Sequence, residues 1–286
     1  MQLKNTFLIY SEMFPRIHSL NSLFKRIRLN VSNYSSTVDY NELQHFSKFT
    51  SYWWDIKGPM RLLQFMNKVR IPFIKQSIEY AMENSKIDSS PKSFQDIKLL
   101  EVGCGGGILA ESLSKLKLQV TGIDMAEELI EVAKEHASKN ENLKNLSYFC
   151  TTVEEFCNKH KNEFDVLVAS ELVEHVPNVE EFLTEALKAV KPGGSLVITT
   201  INKTFLARIY AILFLEGIKT IPPGTHSYEK LVPPSLLKTI LEKSMLIKDS
   251  FRIIKIQGVS YNFIKESFSF THNTSIFYEL HAMKIK

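Results

Sequence analysis

The sequence predicts an α/β fold with a mostly parallel sheet flanked by helices. From about residue 97, short apolar runs alternate with helical segments of about 10 to 15 residues, which is typical of βαβ units. The first apolar run ends in a glycine-rich turn and the second ends in an aspartate. These three observations together predict a ligand site at the carboxyl ends of the strands.

Five strands are expected in the first part of this domain. Each is short and apolar and is bounded by polar or glycine-containing turns, as buried strands are. The expected strands are 97–102, 119–123, 146–150, 164–169 and 195–200. Helical patterns fill the gaps between them, notably at 126–139 and 179–190, and residues 191–194 are expected to form a turn.

The C-terminal part is expected to complete the sheet. A helix is predicted at 234–243, and two further β-rich stretches, 247–256 and 275–284, raise the expected number of strands to seven. Residues 40–90 look helical and contain no strand–helix repeat, so they should cap the sheet rather than extend it. We therefore expect a helical cap at 38–95 and a catalytic domain at 96–286.

Composition and charge exclude several classes of protein. The chain has 286 residues, 44% apolar and 23% charged, which suits one large α/β domain with a sizeable core. Its three cysteines, Cys104, Cys150 and Cys157, form no CxxC pair, so a disulfide framework or a zinc–thiolate site is disfavoured. No apolar run reaches the roughly 18 residues that span a bilayer.

The net charge of +4 lies entirely in residues 1–37, and the remainder holds 30 basic and 30 acidic residues. The body of the protein therefore gives no electrostatic reason to expect nucleic acid as a partner. The first 37 residues contain one acid, and apolar residues recur there at helical spacing beside a basic face. This pattern predicts a mitochondrial transit peptide, although an N-terminal arm without a targeting role has the same composition.

The glycine-rich turn spans Gly103 to Gly107, where glycine lets the chain bend sharply and lets a ligand approach the backbone. Asp124 follows 21 residues after Gly103, at the end of the second expected strand, where a carboxylate can accept ribose hydroxyls. The dinucleotide pattern GxGxxG fails because Ile108 stands where its third glycine would be. Glu101 beside the turn would repel a pyrophosphate but suits the cationic S-adenosylmethionine, which is the predicted cofactor.

At these positions the chain resembles the class I methyltransferases, and within them the ubiquinone-biosynthesis O-methyltransferases. The resemblance extends over about residues 38–285 and includes two segments more particular to that family, WWD at 53–55 and PGTH at 223–226. More widely shared motifs are EVGCGGG at 101–107, VTGID at 120–124, ELVEHVP at 171–177 and VKPGG at 190–194. The resemblance implies a Rossmann-like fold with a seven-stranded sheet.

The resemblance also implies an activity and its setting. The reaction would be methylation of a catechol-type hydroxyl on a polyprenylated ring, at two steps of ubiquinone synthesis. Mitochondrial members are expected on the matrix side of the inner membrane, in a complex of biosynthetic proteins. The family's cofactor contacts correspond to Arg70, Gly103, Asp124 and Ser170, and Gly105 belongs to the same turn. Relatives often carry methionine at the position of Ser170, so we expect a contact there through backbone or shape.

A second group of polar residues, Glu171, Glu174 and His175, follows the fourth expected strand. Two carboxylates and an imidazole within five residues can converge on one Mg²⁺, and the resemblance implies such a metal site. The alternative is a turn into the next helix, with His175 as general base or substrate contact. We expect Glu171 and His175 to be catalytic. His226 is a weaker candidate for substrate contact.

An apolar segment at 205–215 forms the core of an expected insert at about 203–226. It contains one charge, Arg208, and is too short to span a bilayer, so it predicts either an interfacial helix or a buried core helix. Two other classes of function remain open from the sequence: an oxidoreductase with a nucleotide cofactor, and a non-catalytic scaffold with a methyltransferase fold.

Overall fold

The computed structural model describes residues 37–84, 93–210, 228–247 and 250–285. The chain divides into two compact units, Met1–Val38 and Asp39–Lys286. Nearly all of the first unit, and with it the predicted transit peptide, lies outside the described residues. The second unit contains both the expected helical cap and the sheet.

The described helices and strands alternate through the middle of the chain as the sequence predicts. The helices are α1 Tyr40–Ser47, α2 Arg61–Asn84, α3 Ile108–Ser114, α4 Glu127–Ser138, α5 Val153–Lys159, α6 Val179–Ala186, α7 Phe205–Ala207 and α8 Pro234–Lys243. The strands are β1 Lys98–Val102, β2 Gln119–Asp124, β3 Leu146–Cys150, β4 Phe164–Ser170, β5 Val190–Ile201, β6 Phe251–Asn262, β7 Ser267–Thr271 and β8 Phe277–Lys284.

All eight described strands form one sheet in the order β3-β2-β1-β4-β5-β8-β6-β7. The five strands from β3 to β5 are parallel, and β8, β6 and β7 add three antiparallel strands beside β5. The chain order reverses between β1 and β4, and in such open sheets ligands bind at this switch point. The predicted α/β class is therefore confirmed.

Two expectations about the sheet are wrong in detail. The sheet has eight described strands instead of seven, because the short stretch Ser267–Thr271 forms a hairpin with β6 that the sequence analysis missed. Residues 191–194, expected as a turn, belong to β5. The register with β4 shifts between Phe164 and Val166 there, so an irregular start of the strand accommodates the proline and glycines.

Helices cover both faces of the sheet, as the period of the apolar residues requires. One core cluster contains residues of α5, α6 and α8, and the other contains residues of α2, α3 and α4. The long helix α2 contacts β5, β7, β8 and α3. Its Arg70 side chain reaches Ser170, the last residue of β4, where the candidate residues gather.

A third group of apolar side chains joins the N-terminal cap to the glycine turn. Trp53 and Met60 of the cap pack with Ile108, Ala126 and Leu129, which follow the turn and β2. The Trp54 indole stacks on His136 at 3.5 Å between ring centroids and donates a hydrogen bond to the Gly106 carbonyl oxygen at 3.0 Å. The cap is thus built directly onto the predicted cofactor site.

Candidate active site

The glycine turn needs glycine for two separate reasons. Gly103, Gly105 and Gly107 adopt φ values of 73°, 51° and 88°, in the left-handed region that glycine reaches without a steric penalty. In addition, a Cβ atom on Gly105 or Gly106 would lie within 2.4 Å of the Trp53 ring. The glycine pattern predicts a ligand in that space, but at these two glycines Trp53 fills it.

Asp124 holds this turn in place. One carboxylate oxygen accepts a hydrogen bond from the Gly105 amide at 2.9 Å, and the other accepts one from the Ala126 amide at 2.9 Å. Each oxygen has a second lone pair, so the carboxylate can still accept ribose hydroxyls. Asp124 therefore fixes the turn and suits the ribose of a nucleoside cofactor, as its position at the end of β2 predicts.

Two buried polar side chains near the turn have atoms without a described partner. Glu101 is 3% exposed and its Oε2 has no hydrogen bond, and Nε of the buried Arg70 has none either. Burial raises the pKa of Glu101 to about 8, against the opposing effect of Arg70. A ligand with one ammonium and one carboxylate group would satisfy both atoms. The methionine part of S-adenosylmethionine is such a ligand, so the described residues fit this cofactor.

Arg70 also connects α2 to the strand ends. Its Nη1 donates to the Ser170 hydroxyl at 2.9 Å, and that hydroxyl lies 2.8 Å from the Thr199 hydroxyl. Ser170 was expected to act through backbone or shape, whereas here its side chain binds Arg70. The serine thus positions the guanidinium that the sequence assigned to cofactor binding.

The three side chains after β4 are held in different directions. The Thr199 hydroxyl donates to Glu171 at 2.7 Å, and the Thr200 hydroxyl donates to Glu174 at 2.8 Å. Thr199 and Thr200 are neighbours in β5 and so face opposite sides of the sheet. His175 instead contacts Glu42.

The expected metal site does not assemble from these side chains. Among the described residues, no group of three or more His, Cys, Asp or Glu is arranged to hold a metal ion. Glu171, Glu174 and His175, the predicted Mg²⁺ ligands, therefore do not fit the metal as they lie here. The physical reason is that their hydrogen-bond partners lie on two faces of the sheet and on α1.

Glu171 has an uncommon backbone conformation for a residue with a side chain. Its φ is 50°, and its amide donates to the Thr199 carbonyl oxygen at 2.8 Å. Left-handed backbone at a non-glycine residue costs roughly 1 kcal/mol or more and is concentrated at functional sites. The conformation directs the carboxylate back onto Thr199, which supports Glu171 as a site residue.

His175 is the imidazole of this group. Its Nδ1 lies 3.0 Å from Oε2 of Glu42, and its side chain is 9% exposed. Burial lowers the pKa of His175, but the hydrogen bond to Glu42 and the charges of Glu174 and Glu171 outweigh that effect and raise it. These contacts make the imidazole a stronger proton acceptor.

Sequence reasoning missed Glu42, which is 133 residues from His175 along the chain. No local motif marks it, because its role depends on how α1 packs against the loop after β4. His226, the weaker candidate for substrate contact, lies outside the described residues.

Comparison with known proteins agrees with this geometry. Residues 100–198 match the family model described as "Methyltransferase domain". A SAM-dependent methyltransferase from Aquifex aeolicus matches with a TM-score of 0.52 and 19% identity, over 82% of this chain and 98% of the other. Magnesium protoporphyrin IX methyltransferase from Synechocystis, solved with bound SAM, matches with a TM-score of 0.53 and 12% identity, over 88% and 100%. These two structures show the class I methyltransferase fold.

The first prediction concerns Asp124. Asp124→Asn should raise the Kd for S-adenosylmethionine at least about tenfold, because hydrogen bonds to a charged acceptor are worth roughly 1.5–3 kcal/mol. Asp124→Ala should weaken binding as well and should also lower the melting temperature, since the amides of Gly105 and Ala126 lose their acceptors. Calorimetric titration checks the affinity, and unchanged Kd values for both folded variants would refute the assignment.

Curated relatives give the more specific result. The mitochondrial ubiquinone biosynthesis O-methyltransferase of Rattus norvegicus is 39% identical over 88% of this chain and 71% of its own length. The Homo sapiens protein of the same name is 37% identical over 97% and 74%. The ubiquinone biosynthesis O-methyltransferase of Pelagibacter ubique is 39% identical over 85% of this chain and 97% of its own. Identity of this extent shows that the chain belongs to the ubiquinone biosynthesis O-methyltransferases, enzymes that use S-adenosylmethionine as methyl donor.

Proposed function

We propose that this enzyme methylates a catechol-type hydroxyl on polyprenylated ubiquinone precursors, with His175 as the general base. The proposed substrates are a 3,4-dihydroxy-5-polyprenylbenzoate at an early step and a demethylubiquinol at a late one. The observation that carries the catalytic part is the contact between His175 and Glu42 at the carboxyl end of β4. A base at that place lies at the edge of the sheet where class I folds bind their ligands.

The proposed reaction is an in-line displacement at the methyl carbon. The catechol oxygen forms the new bond to carbon while the carbon–sulfur bond breaks, and the bonding electron pair stays on sulfur. The hydroxyl proton passes to His175 and then to water. Holding the two reactants in line can lower the activation free energy by roughly 7–11 kcal/mol. A positioned general base can raise the rate by a further factor of about 10²–10⁴.

Glu171 and Glu174 support the base electrostatically in this proposal. Both carboxylates raise the pKa of His175, and their own pKa values are raised first by burial. The local charge therefore favours an imidazolium once the proton has moved. Glu171 is the second proposed catalytic residue because its strained backbone keeps this carboxylate at the site.

The second prediction tests the base. His175→Gln should lower kcat on a short-tailed catechol analogue by at least about 10²-fold, since the proton loses its acceptor, while the Kd for S-adenosylmethionine stays within twofold to threefold. Turnover is measured as transfer of a labelled methyl group. A variant with near-normal kcat would refute the assignment of the base.

Chelation tests the predicted Mg²⁺ separately. The same assay is run with wild-type enzyme after treatment with EDTA. Turnover that persists supports His175 as a base that needs no metal. Turnover that is lost and then restored by Mg²⁺ would mean that substrate and metal together move Glu171, Glu174 and His175 from the positions described above. Turnover itself also excludes the alternative of a non-catalytic scaffold.

The start of the predicted insert supports a contact with lipid. Phe205, Leu206 and Ile209 are 69%, 55% and 41% exposed, whereas Ala207 is buried and the Tyr210 hydroxyl donates to the Tyr261 carbonyl oxygen at 2.8 Å. The inner side of this segment is thus already packed, and its apolar outer side faces away from the core. This arrangement favours the interfacial alternative over the buried helix. Residues 211–227 lie outside the described residues.

The turn between β6 and β7 extends this apolar surface. The rings of Tyr210 and Phe263 lie 5.0 Å apart, and the neighbouring Ile264 is 96% exposed. Among the described helices, none is both long and apolar enough to cross a membrane. We propose peripheral binding to the matrix side of the inner membrane, where a polyprenylated substrate resides in the lipid.

The third prediction concerns this surface. Ile209→Glu combined with Ile264→Glu should reduce sedimentation with vesicles that contain anionic lipid, because each change places a charge in the apolar contact. Met245→Glu is the matched control, since Met245 is 89% exposed and follows α8. Equal loss in the control, or no loss in the double variant with an unchanged melting temperature, would contradict the proposal.

We further propose that the protein acts in the mitochondrion and that residues 1–37 are its transit peptide, with a cap at 38–95 and a methyltransferase domain at 96–286. Two of the relatives described above are named mitochondrial, which supports this location. The basic, acid-poor composition of the segment supports it as well. Association with other ubiquinone-biosynthesis proteins remains a prediction from the family.

The fourth prediction tests the targeting segment. Residues 1–37 fused to a fluorescent reporter should direct it into isolated mitochondria and become protected from added protease. The same fusion with Lys25, Arg26 and Arg28 changed to Gln should import poorly, because the basic face is lost. Equal import of both fusions would count against the proposal.

A further inference from the structure

The indole of Trp53 is buried against the glycine turn without a hydrogen bond. The residue is 5% exposed, and among the described residues its Nε1 has no acceptor. A buried N–H that loses water and gains no acceptor destabilises the fold, so such groups usually have a partner, which can be a bound ligand. The neighbouring Trp54 shows the ordinary arrangement, since its Nε1 donates to the Gly106 carbonyl oxygen at 3.0 Å. The unpartnered N–H of Trp53 therefore points to a molecule that binds at the turn.

Local contacts fix the segment that carries the two tryptophans. The Asp55 carboxylate accepts a hydrogen bond from the Lys57 amide at 2.8 Å, and the Asp55 amide donates to the Tyr52 carbonyl oxygen at 3.1 Å. The second tryptophan ring stacks on His136 with the two planes only 4° apart. The Trp53 indole is thus held in place before a ligand arrives, and a preorganised donor costs less to bind.

Trp53 contacts the two backbone segments that hold Asp124. A Cβ atom on Gly106 would lie 2.7 Å from Nε1 of Trp53, so the N–H is close to the backbone of the turn. The ring also belongs to the apolar cluster that contains Ala126. The Asp124 carboxylate accepts hydrogen bonds from the amides of Gly105 and Ala126. The indole donor and the carboxylate are therefore anchored to the same two pieces of chain.

A ribose hydroxyl suits this pair of groups. A carboxylate only accepts hydrogen bonds and an indole N–H only donates one, whereas a hydroxyl does both. A hydroxyl that donates to Asp124 keeps two lone pairs, and one of them can accept from Trp53. The methionine carboxylate of the cofactor suits Arg70 instead, whose side chain reaches Ser170 at the end of a different strand.

We propose that Trp53 is a cofactor-binding residue, whose indole N–H donates to the ribose hydroxyl that itself donates to Asp124. The proposal rests on the assignment of Asp124 to the ribose. It gives the first tryptophan of the WWD segment a role in recognition, in addition to its packing. A ligand without that hydroxyl would leave the N–H buried and unpaired, so the cap selects ribose over deoxyribose.

The test measures Kd by calorimetric titration for S-adenosylhomocysteine and for its 2′-deoxy and 3′-deoxy analogues. Trp53→Phe removes the N–H and part of the ring. Benzothienylalanine in place of Trp53 carries sulfur instead of the N–H and keeps the ring size. Both variants should raise the Kd for S-adenosylhomocysteine by about threefold to tenfold, which is the effect of one neutral hydrogen bond.

The deoxy analogues show whether the N–H contacts a hydroxyl. For the analogue that lacks the accepting hydroxyl, the wild type and the benzothienylalanine variant should have Kd values within about twofold, because neither can form the bond. A loss of equal size with both deoxy analogues would overturn the proposal, since the N–H would then contact neither hydroxyl. An unchanged Kd for S-adenosylhomocysteine in this variant would overturn it as well.

A ligand without the amino acid part tests the other acceptor. 5′-Methylthioadenosine has the ribose but no carboxylate, so the benzothienylalanine variant should raise its Kd by the same factor as that of S-adenosylhomocysteine. A loss confined to S-adenosylhomocysteine would mean that Trp53 binds the carboxylate, and the proposal would fail.

Trp54→Phe is the matched control, because the N–H of Trp54 already has an acceptor in the protein. It should lower the melting temperature, and any change in Kd should be the same for all of these ligands. A loss in this control that disappears with one deoxy analogue would contradict the roles given to the two indoles.

Asp124→Asn separates the proposal from the assignment on which it rests. If that variant binds S-adenosylhomocysteine with unchanged Kd, Asp124 does not hold the ribose and both statements fail. If Asp124→Asn weakens binding while the Trp53 variants do not, the ribose assignment stands and the contact from Trp53 is wrong.

Discussion

The active site depends on the burial of one positive charge. Arg70 belongs to α2 and is 3% exposed; burial lowers the pKa of its guanidinium, and the nearby Glu171, Glu101 and Glu279 oppose that effect. An uncompensated guanidinium would be too costly at such a place, so these acids must lie near it. Burial raises the pKa of Glu279 to about 8, against the effect of Arg70. Helix α2, β1, β8 and the loop after β4 therefore each bring a buried polar side chain to the surroundings of this one guanidinium.

The same charge explains why the sheet ends and the cap form a single site. Arg70 reaches Ser170 at the end of β4, and from there a chain of hydroxyl contacts runs through Thr199 to Glu171. A change in the position of α2 would thus be transmitted to the loop that carries His175. In the proposed reaction, parts of this one hydrogen-bonded network would bind both cofactor and acceptor substrate.

Sequence patterns predicted those parts of the fold and the site that depend on residues close together in the chain. The glycine turn, Asp124 and the alternation of strands and helices could be recognised because each follows from neighbouring residues. The hairpin strand β7 was missed because it is only five residues long and its serine residues make one of its two faces polar. The direction of the side chains at 171–175 could not be predicted, since it depends on partners in β5 and α1. Glu42 was missed for the same reason, because 133 residues separate it from His175.

The cap places both tryptophans of the chain on the glycine turn. Trp53 packs against Gly105 and Gly106, and Trp54 stacks on His136 while bonding to the Gly106 carbonyl oxygen. The protein therefore contains an intrinsic optical probe of this one turn, and its ultraviolet emission has no contribution from tryptophan elsewhere. Movements of the turn can be followed by tryptophan fluorescence in the unlabelled enzyme, even in the presence of lipid and substrate.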